Sequence, residues 1–231
     1  VLEAPGIPPK ACSVDLRPDG TVVLRPVEGA PVAVNDAPPT GSPLVPEGEE
    51  RKHDVVTVGR VRLSLFEKEE RFLVRARDSE SPRRTGFAGL TYFPVDPSYR
   101  VQALWEPYEA PREVEVPSSR GPARKATAPG SVRFTLAGRE HTLEPTVESP
   151  EDDTLFFVFS DATAGTESYG GGRFLYAKKP RPGEASKVVL DFNLAENPPC
   201  SITPFASCPM ALPKNTLPVR VEAGEKAPRG H

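Results

Sequence analysis

Proline is the residue that most restricts this chain, which holds 29 prolines in 231 residues. That is more than twice the share of about 5% in average usage. Each proline fixes φ, removes a backbone donor and breaks a helix interior. A chain so rich in them is confined to short strands joined by stiff loops. Its periodicity agrees. VRLSLF sets Val61, Leu63 and Leu65 against Arg62 and Ser64, and RFLVRARD sets Phe72, Val74 and Ala76 against Leu73, Arg75 and Arg77. RVQALWE gives Val101, Ala103 and Trp105, and SVRFTLAG gives Val132, Phe134 and Leu136. Period-2 runs of this kind read as half-buried strands. LFFVFS at 155–160, apolar on both faces, suits a central strand, and RFLYA, KVVLDFN and PVRVEA (218–223) add more. RPDGT at 17–21 and LAGRE at 136–140 read as hairpin connections. No amphipathic helix longer than two turns is evident.

The fold class is therefore mainly β, with length for one large domain or two small ones around a true core. Composition shifts near Asp78–Arg84, which predicts a small sandwich-like β module over 1–78. A larger antiparallel β domain follows over 79–231, a barrel or a sandwich, with a split barrel as one variant. PSSRGPARKATAPGS at 117–131 reads as a basic loop that solvates a surface. In the first module, PVAVNDAPPT with VTVGRVRLSL resembles the closing strands of forkhead-associated β-sandwiches. The Arg and Ser/His residues by which those domains hold phosphothreonine do not precede it here, so phosphopeptide binding does not carry over.

A net charge of -3 and a pI near 5.8 give no electrostatic reason to expect nucleic acid. No apolar run approaches the roughly 20 residues that span a bilayer, and VLEAPGIPPKACS lacks a charged-then-apolar signal pattern. The expectation is a cytoplasmic protein without a membrane segment. Cys12, Cys200 and Cys208 are too few for a disulfide scaffold. Cys200 and Cys208, eight apart, have the spacing to bridge across a loop, and the cytoplasmic expectation favours reduced thiols. Neither cysteine spacing nor His53, His141 and His231 form a zinc pattern, so no metal site is expected.

Polar, Gly, Pro and Cys residues crowd the last third of the chain. In GTESYGGGRFL at 165–175, Gly170–Gly172 allow close backbone approach, and Arg173 follows as a fixed cation. Asp161 follows an apolar strand and Asp191 lies within one, where a carboxylate needs a partner. Asn193 brackets the turn before NPPCSITPFASCP, whose prolines fix the positions of Cys200 and Cys208. Two readings follow. In one, Asp161, Tyr169, Gly171, Arg173, Asp191, Asn193 and Cys200 line a pocket for a small anionic or polar molecule. A flavin on a split barrel is a variant of that reading; no cofactor or catalytic constellation is otherwise specified. In the other, Arg173 pairs with Asp161 or Asp191, the glycines bend a strand, and NPPC…CP seals one end. Function then lies in partner binding. Solvent access decides between them: an open cleft favours a ligand, burial with internal partners favours architecture.

Three stretches, RFLVRARDSESPRRTGFAGLTYFPVDPSYRVQA, FVFSDATAGTESYGGGRFLYA and LDFNLAENPPCSITPFASCPMALPKNTLPVRVEAGEK, resemble the family known as Domain of Unknown Function 1684. The likeness runs from about Arg71 to Lys226. It implies a soluble bacterial or archaeal protein and supplies no reaction. It also makes Asp161, Tyr169, Gly171, Arg173, Asp191, Asn193, Pro198, Pro199, Cys200, Cys208, Asn215 and Glu225 positions of the shared pattern.

Overall fold

The computed structural model describes residues 7–48, 52–68, 71–149, 151–181 and 186–228. The chain divides into two compact units, Val1–Phe87 and Ala88–His231. In the first, β1 (Cys12–Leu16) and β2 (Val22–Pro26) form an antiparallel hairpin across Arg17–Thr21. A four-stranded antiparallel sheet follows, built from β3 (Val32–Val34), β4 (Val55–Val58), β5 (Val61–Lys68) and β6 (Arg71–Asp78) in that order. Leu24, Val56 and Val58 are buried with Ala11, flanked by Val32 and Leu63. The alternation of β6 does not become burial: Leu73 through Arg77 are all exposed. As the outer strand it has, among the described residues, only β5 paired beside it. A short helix, α1 (Pro82–Thr85), follows β6 near the end of the unit.

The second unit contains β7 (Arg100–Val116), β8 (Arg124–Leu136), β9 (Arg139–Leu143), β10 (Thr154–Phe159), β11 (Arg173–Lys178) and β12 (Lys187–Asp191). They form a four-stranded sheet of order β12-β7-β8-β9 and a separate β10-β11 pair, all antiparallel. Val132, Phe134 and Leu136 from the sheet pack with Leu155, Phe157, Phe159 and Leu175 from the pair in one cluster. Two layers around one core make a sandwich-like fold, and no closed barrel forms among the described residues. The β8–β9 turn is as the sequence predicts. Ala137 and Gly138 take φ of +50° and +72° between the paired Leu136 and Arg139, as a two-residue turn matched to strand twist requires.

Three sequence expectations change. β10 is not the central strand of a larger sheet: its partner strand is β11, and its other edge carries an isolated bridge between Phe156 and Thr146. It is apolar on both faces because Leu155, Phe157 and Phe159 face the main core. Phe156 and Val158 face a second cluster with Phe174, Cys200 and Cys208. The segment 117–131 is not all loop: from Arg124 onward it is strand, with Arg124 through Ala128 paired with Val116 through Arg112 of β7. Nor is 218–223 a strand, and its reason lies in the site described next. Among the described residues no helix is long and apolar enough to cross a membrane.

Candidate functional site

Arg173 opens β11, and its side chain is 1% exposed. An arginine so deep must spend its donors on the protein. One Nη donates to Asp161 Oδ2 at 2.8 Å and to the Val221 carbonyl at 2.9 Å. The other donates to the carbonyls of Ala223 and of Glu225. Nε makes no hydrogen bond among the described residues, and the guanidinium carbon lies 5.2 Å from the Phe159 ring centroid and 5.9 Å from that of Phe93. Burial pulls the guanidinium below its ordinary pKa, while the Asp161 carboxylate opposes that shift.

Asp161 is held equally firmly. Its Oδ1 accepts from the backbone N–H groups of Thr163 at 2.8 Å and Val221 at 3.2 Å. This explains the missing strand at 218–223. Val221 and Ala223 are buried as the alternation predicts, but their backbone groups bond to Arg173 and Asp161 side chains instead of to a neighbouring strand. Flanking bonds tie down the rest, Leu217 N–H to Ser160 O, Phe93 N–H to Gly224 O and Lys226 N–H to Thr91 O. The side chain of Glu225 accepts from Asn197 N–H at 2.7 Å and from Tyr92 Oη at 3.3 Å.

The glycines serve this arrangement locally. Gly172 takes φ +94°, and a Cβ there would lie 2.8 Å from the Phe159 carbonyl, so only glycine delivers Arg173 into the interior at this angle. Gly171 is packed by Tyr169 and Met210, its hypothetical Cβ 2.5 Å from Tyr169 Cε1. Tyr169 Oη lies 3.7 Å from Cys200 Sγ, and Cys200 N–H donates to Cys208 Sγ at 3.2 Å. All three cysteines are free thiols. Burial pushes the Tyr169 phenol up to about 12 and the Cys208 thiol up to about 11, the opposite of what an activated thiol needs.

The seven candidate residues therefore divide into three places. Arg173 and Asp161 form the internal pair, and Tyr169, Gly171 and Cys200 form a neighbouring packed group. Asp191 and Asn193 lie apart from both. Asp191 Oδ1 accepts from Asn193 N–H at 3.2 Å and Asn193 Nδ2 at 3.0 Å. Asn193 in turn bonds both backbone groups of Asp96 at 3.0 Å, a loop clamp of the kind asparagine makes. Among the described residues no three His, Cys, Asp or Glu side chains are grouped to hold a metal ion.

Sequence reasoning missed a second buried acid. Glu144 is 4% exposed, accepts from Tyr108 Oη at 2.5 Å and pairs with Lys214. Asn215 flanks it, bonding both Glu144 backbone groups and the Val158 carbonyl. Burial, then the Glu144 carboxylate, raises the Tyr108 phenol above its ordinary value. The only sequence signal was an acid among buried positions after β9.

Comparison with known proteins gives two findings. The family model described as Protein of unknown function (DUF1684) matches residues 85–226. A solved structure is also similar, the solution NMR structure of an uncharacterized protein from Haloarcula marismortui. It is 35% identical, with a TM-score of 0.54, over 64% of this chain and 81% of that one. No curated protein matches the chain. The forkhead-associated likeness of the first module has no counterpart among these findings.

Proposed function

The chain belongs to the family described as Protein of unknown function (DUF1684), and on that premise we propose that it is a structural and protein-interaction module whose polar motif is architectural. The observation that carries this reading is the burial of Arg173, with one carboxylate and three backbone carbonyls as its partners. A group that recognises a solute must exchange water for ligand, and Arg173 faces neither. Its work is to bind the C-terminal segment 217–226 to β11 and to the turn at Asp161, through hydrogen bonds that a neighbouring strand would otherwise make.

A thermal-shift panel of phosphates, carboxylates, nucleotides and flavins tests this against the ligand reading. No compound is expected to raise the melting temperature through Arg173. A compound that stabilises the wild type, loses that effect in Asp161→Asn, and shifts the Arg173 side-chain NMR signals would overturn it.

A further inference from the structure

Among the described residues β6 is a sheet edge, paired on one side with β5 and on the other with no strand. Its eight residues pair with β5 in unbroken register, Lys68 with Arg71 through Val61 with Asp78, without a bulge. Exposed edges are ordinarily shortened, bulged, interrupted by proline or shielded by charge, because their free N–H and C=O groups template another strand. None of the first three devices is present in RFLVRARD. The charges are drawn off the edge as well. The Arg75 guanidinium lies 4.6 Å over the Phe66 ring and is bonded to Glu47, and Arg77 bonds Ser64 Oγ at 3.1 Å. Arg75 and Arg77 thus lie back across the sheet face toward Glu47, and among the described residues no strand pairs with the outer edge of β6. Apolar surface remains beside them, with Leu73 38% and Val74 51% exposed.

Register fixes the chemistry of the two faces. Arg71, Leu73, Arg75 and Arg77 share one face with Arg62, Ser64 and Phe66, while Phe72, Val74 and Ala76 share the other. Arg62 stands directly opposite Arg77, a like-charge pair of the kind that destabilises a sheet, and one carboxylate, Glu47, answers it, 3.4 Å from Arg77 and paired with Arg75 as well. A second copy of this chain pairing antiparallel through β6 would set arginines against arginines, so charge disfavours a symmetric dimer there.

We propose that β6 receives an extended acidic segment of a partner protein as a fifth strand of this sheet. Its alternate side chains would be Glu or Asp facing the arginine row, and the others β-branched and apolar beside Phe72 and Val74. Main-chain hydrogen bonds supply the attachment and the arginine row the selectivity, as in strand addition generally. The proposal deepens the interaction-module reading and rests on it.

The test is a titration of the 15N-labelled full chain with a capped peptide alternating Glu and Val. Two controls accompany it, a Lys–Val peptide and a Glu–Val peptide with every second amide N-methylated. The Glu–Val peptide is expected to shift amide signals of 71–78 and to slow their exchange, with binding about tenfold weaker when NaCl rises from about 0.05 to about 0.5 M. The Lys–Val peptide should bind at least about tenfold more weakly, and the methylated peptide should leave 71–78 unshifted. Arg71→Glu, unchanged in melting temperature, should weaken the Glu–Val peptide by about tenfold. Absence of shifts in 71–78, equal binding of the Lys–Val or methylated peptide, or dimerisation through β6 would overturn the proposal. Failure here with unshifted Arg173 signals leaves the architectural reading standing, whereas a peptide that shifts Arg173 instead would sink that reading too.

Discussion

The Arg173–Asp161 and Arg75–Glu47 pairs join the same two chemical groups in opposite surroundings. Both side chains of the first are 1% exposed, whereas in the second the arginine is 46% exposed and the glutamate 17%. In the second, water competes for every bond and screens the charges, so the pair holds a side chain across a sheet face and little else. In the first, two charges have been taken out of water, and their attraction alone does not repay that loss. What makes the buried pair worthwhile is the set of backbone groups it satisfies, the carbonyls of Val221, Ala223 and Glu225 and the N–H groups of Thr163 and Val221. The lesson is that this ion pair is a hydrogen-bonding hub for an unpaired chain segment.

Breaking the hub gives the largest expected effect. Arg173→Ala should lose about 3–5 kcal/mol in urea unfolding, since it leaves a buried carboxylate without its cation. Replacing both partners by leucine sharpens the comparison. Where an ion pair is only an ion pair, that exchange is often neutral, but here it strands five backbone groups and should still lose about 3 kcal/mol or more. A double variant as stable as wild type would refute the hub. Gly172→Ala comes next, at about 1–3 kcal/mol, because φ +94° and the contact with the Phe159 carbonyl both oppose a Cβ. Asn215→Ala, which strands the Glu144 and Val158 backbone groups, should lose about 2 kcal/mol by the same assay.

Smaller effects follow from the neighbouring thiol and phenol. Their folded pKa values are raised, to about 11 for Cys208 and about 12 for Tyr169. The folded state therefore holds these protons longer than the unfolded state. The stability they contribute is complete below the unfolded values of about 8.5 and 10 and is lost as pH climbs through the folded ones. The melting temperature should fall between about pH 8.5 and about pH 12. At about pH 8, alkylation of Cys208 should run about a hundredfold slower than that of a free thiol. Smallest of all, Arg75→Ala should leave the melting midpoint within the scatter of repeats, and a large loss there would erase the contrast between the two pairs.

Much of the fold was legible locally. The Val132, Phe134 and Leu136 alternation and the Ala137–Gly138 turn need only near neighbours, and both were visible in the sequence. What escaped was the identity of hydrogen-bond partners. Alternation at 218–223 reports which side chains are buried, not whether a strand or a guanidinium serves the backbone between them. The two apolar faces of β10 similarly report two coverings, which a central strand and a doubly covered pair share. Asp161 and Asp191 look alike as acids beside apolar strands, and only the fold makes one the partner of Arg173 and the other a turn cap. Tyr108, Glu144 and Asn215 meet across 36 and 71 residues of sequence, with no local pattern to announce them.

The central claim, that Arg173 is spent internally, has a direct measurement in the NMR signals of its guanidinium. A fork held by Asp161 and three carbonyls should show separate, unaveraged Nη proton resonances. Their solvent exchange should be slow, and neither should change on addition of phosphate, acetate or nucleotide at millimolar levels. Averaged, rapidly exchanging Nη protons, or signals that move with any of these anions, would contradict the account.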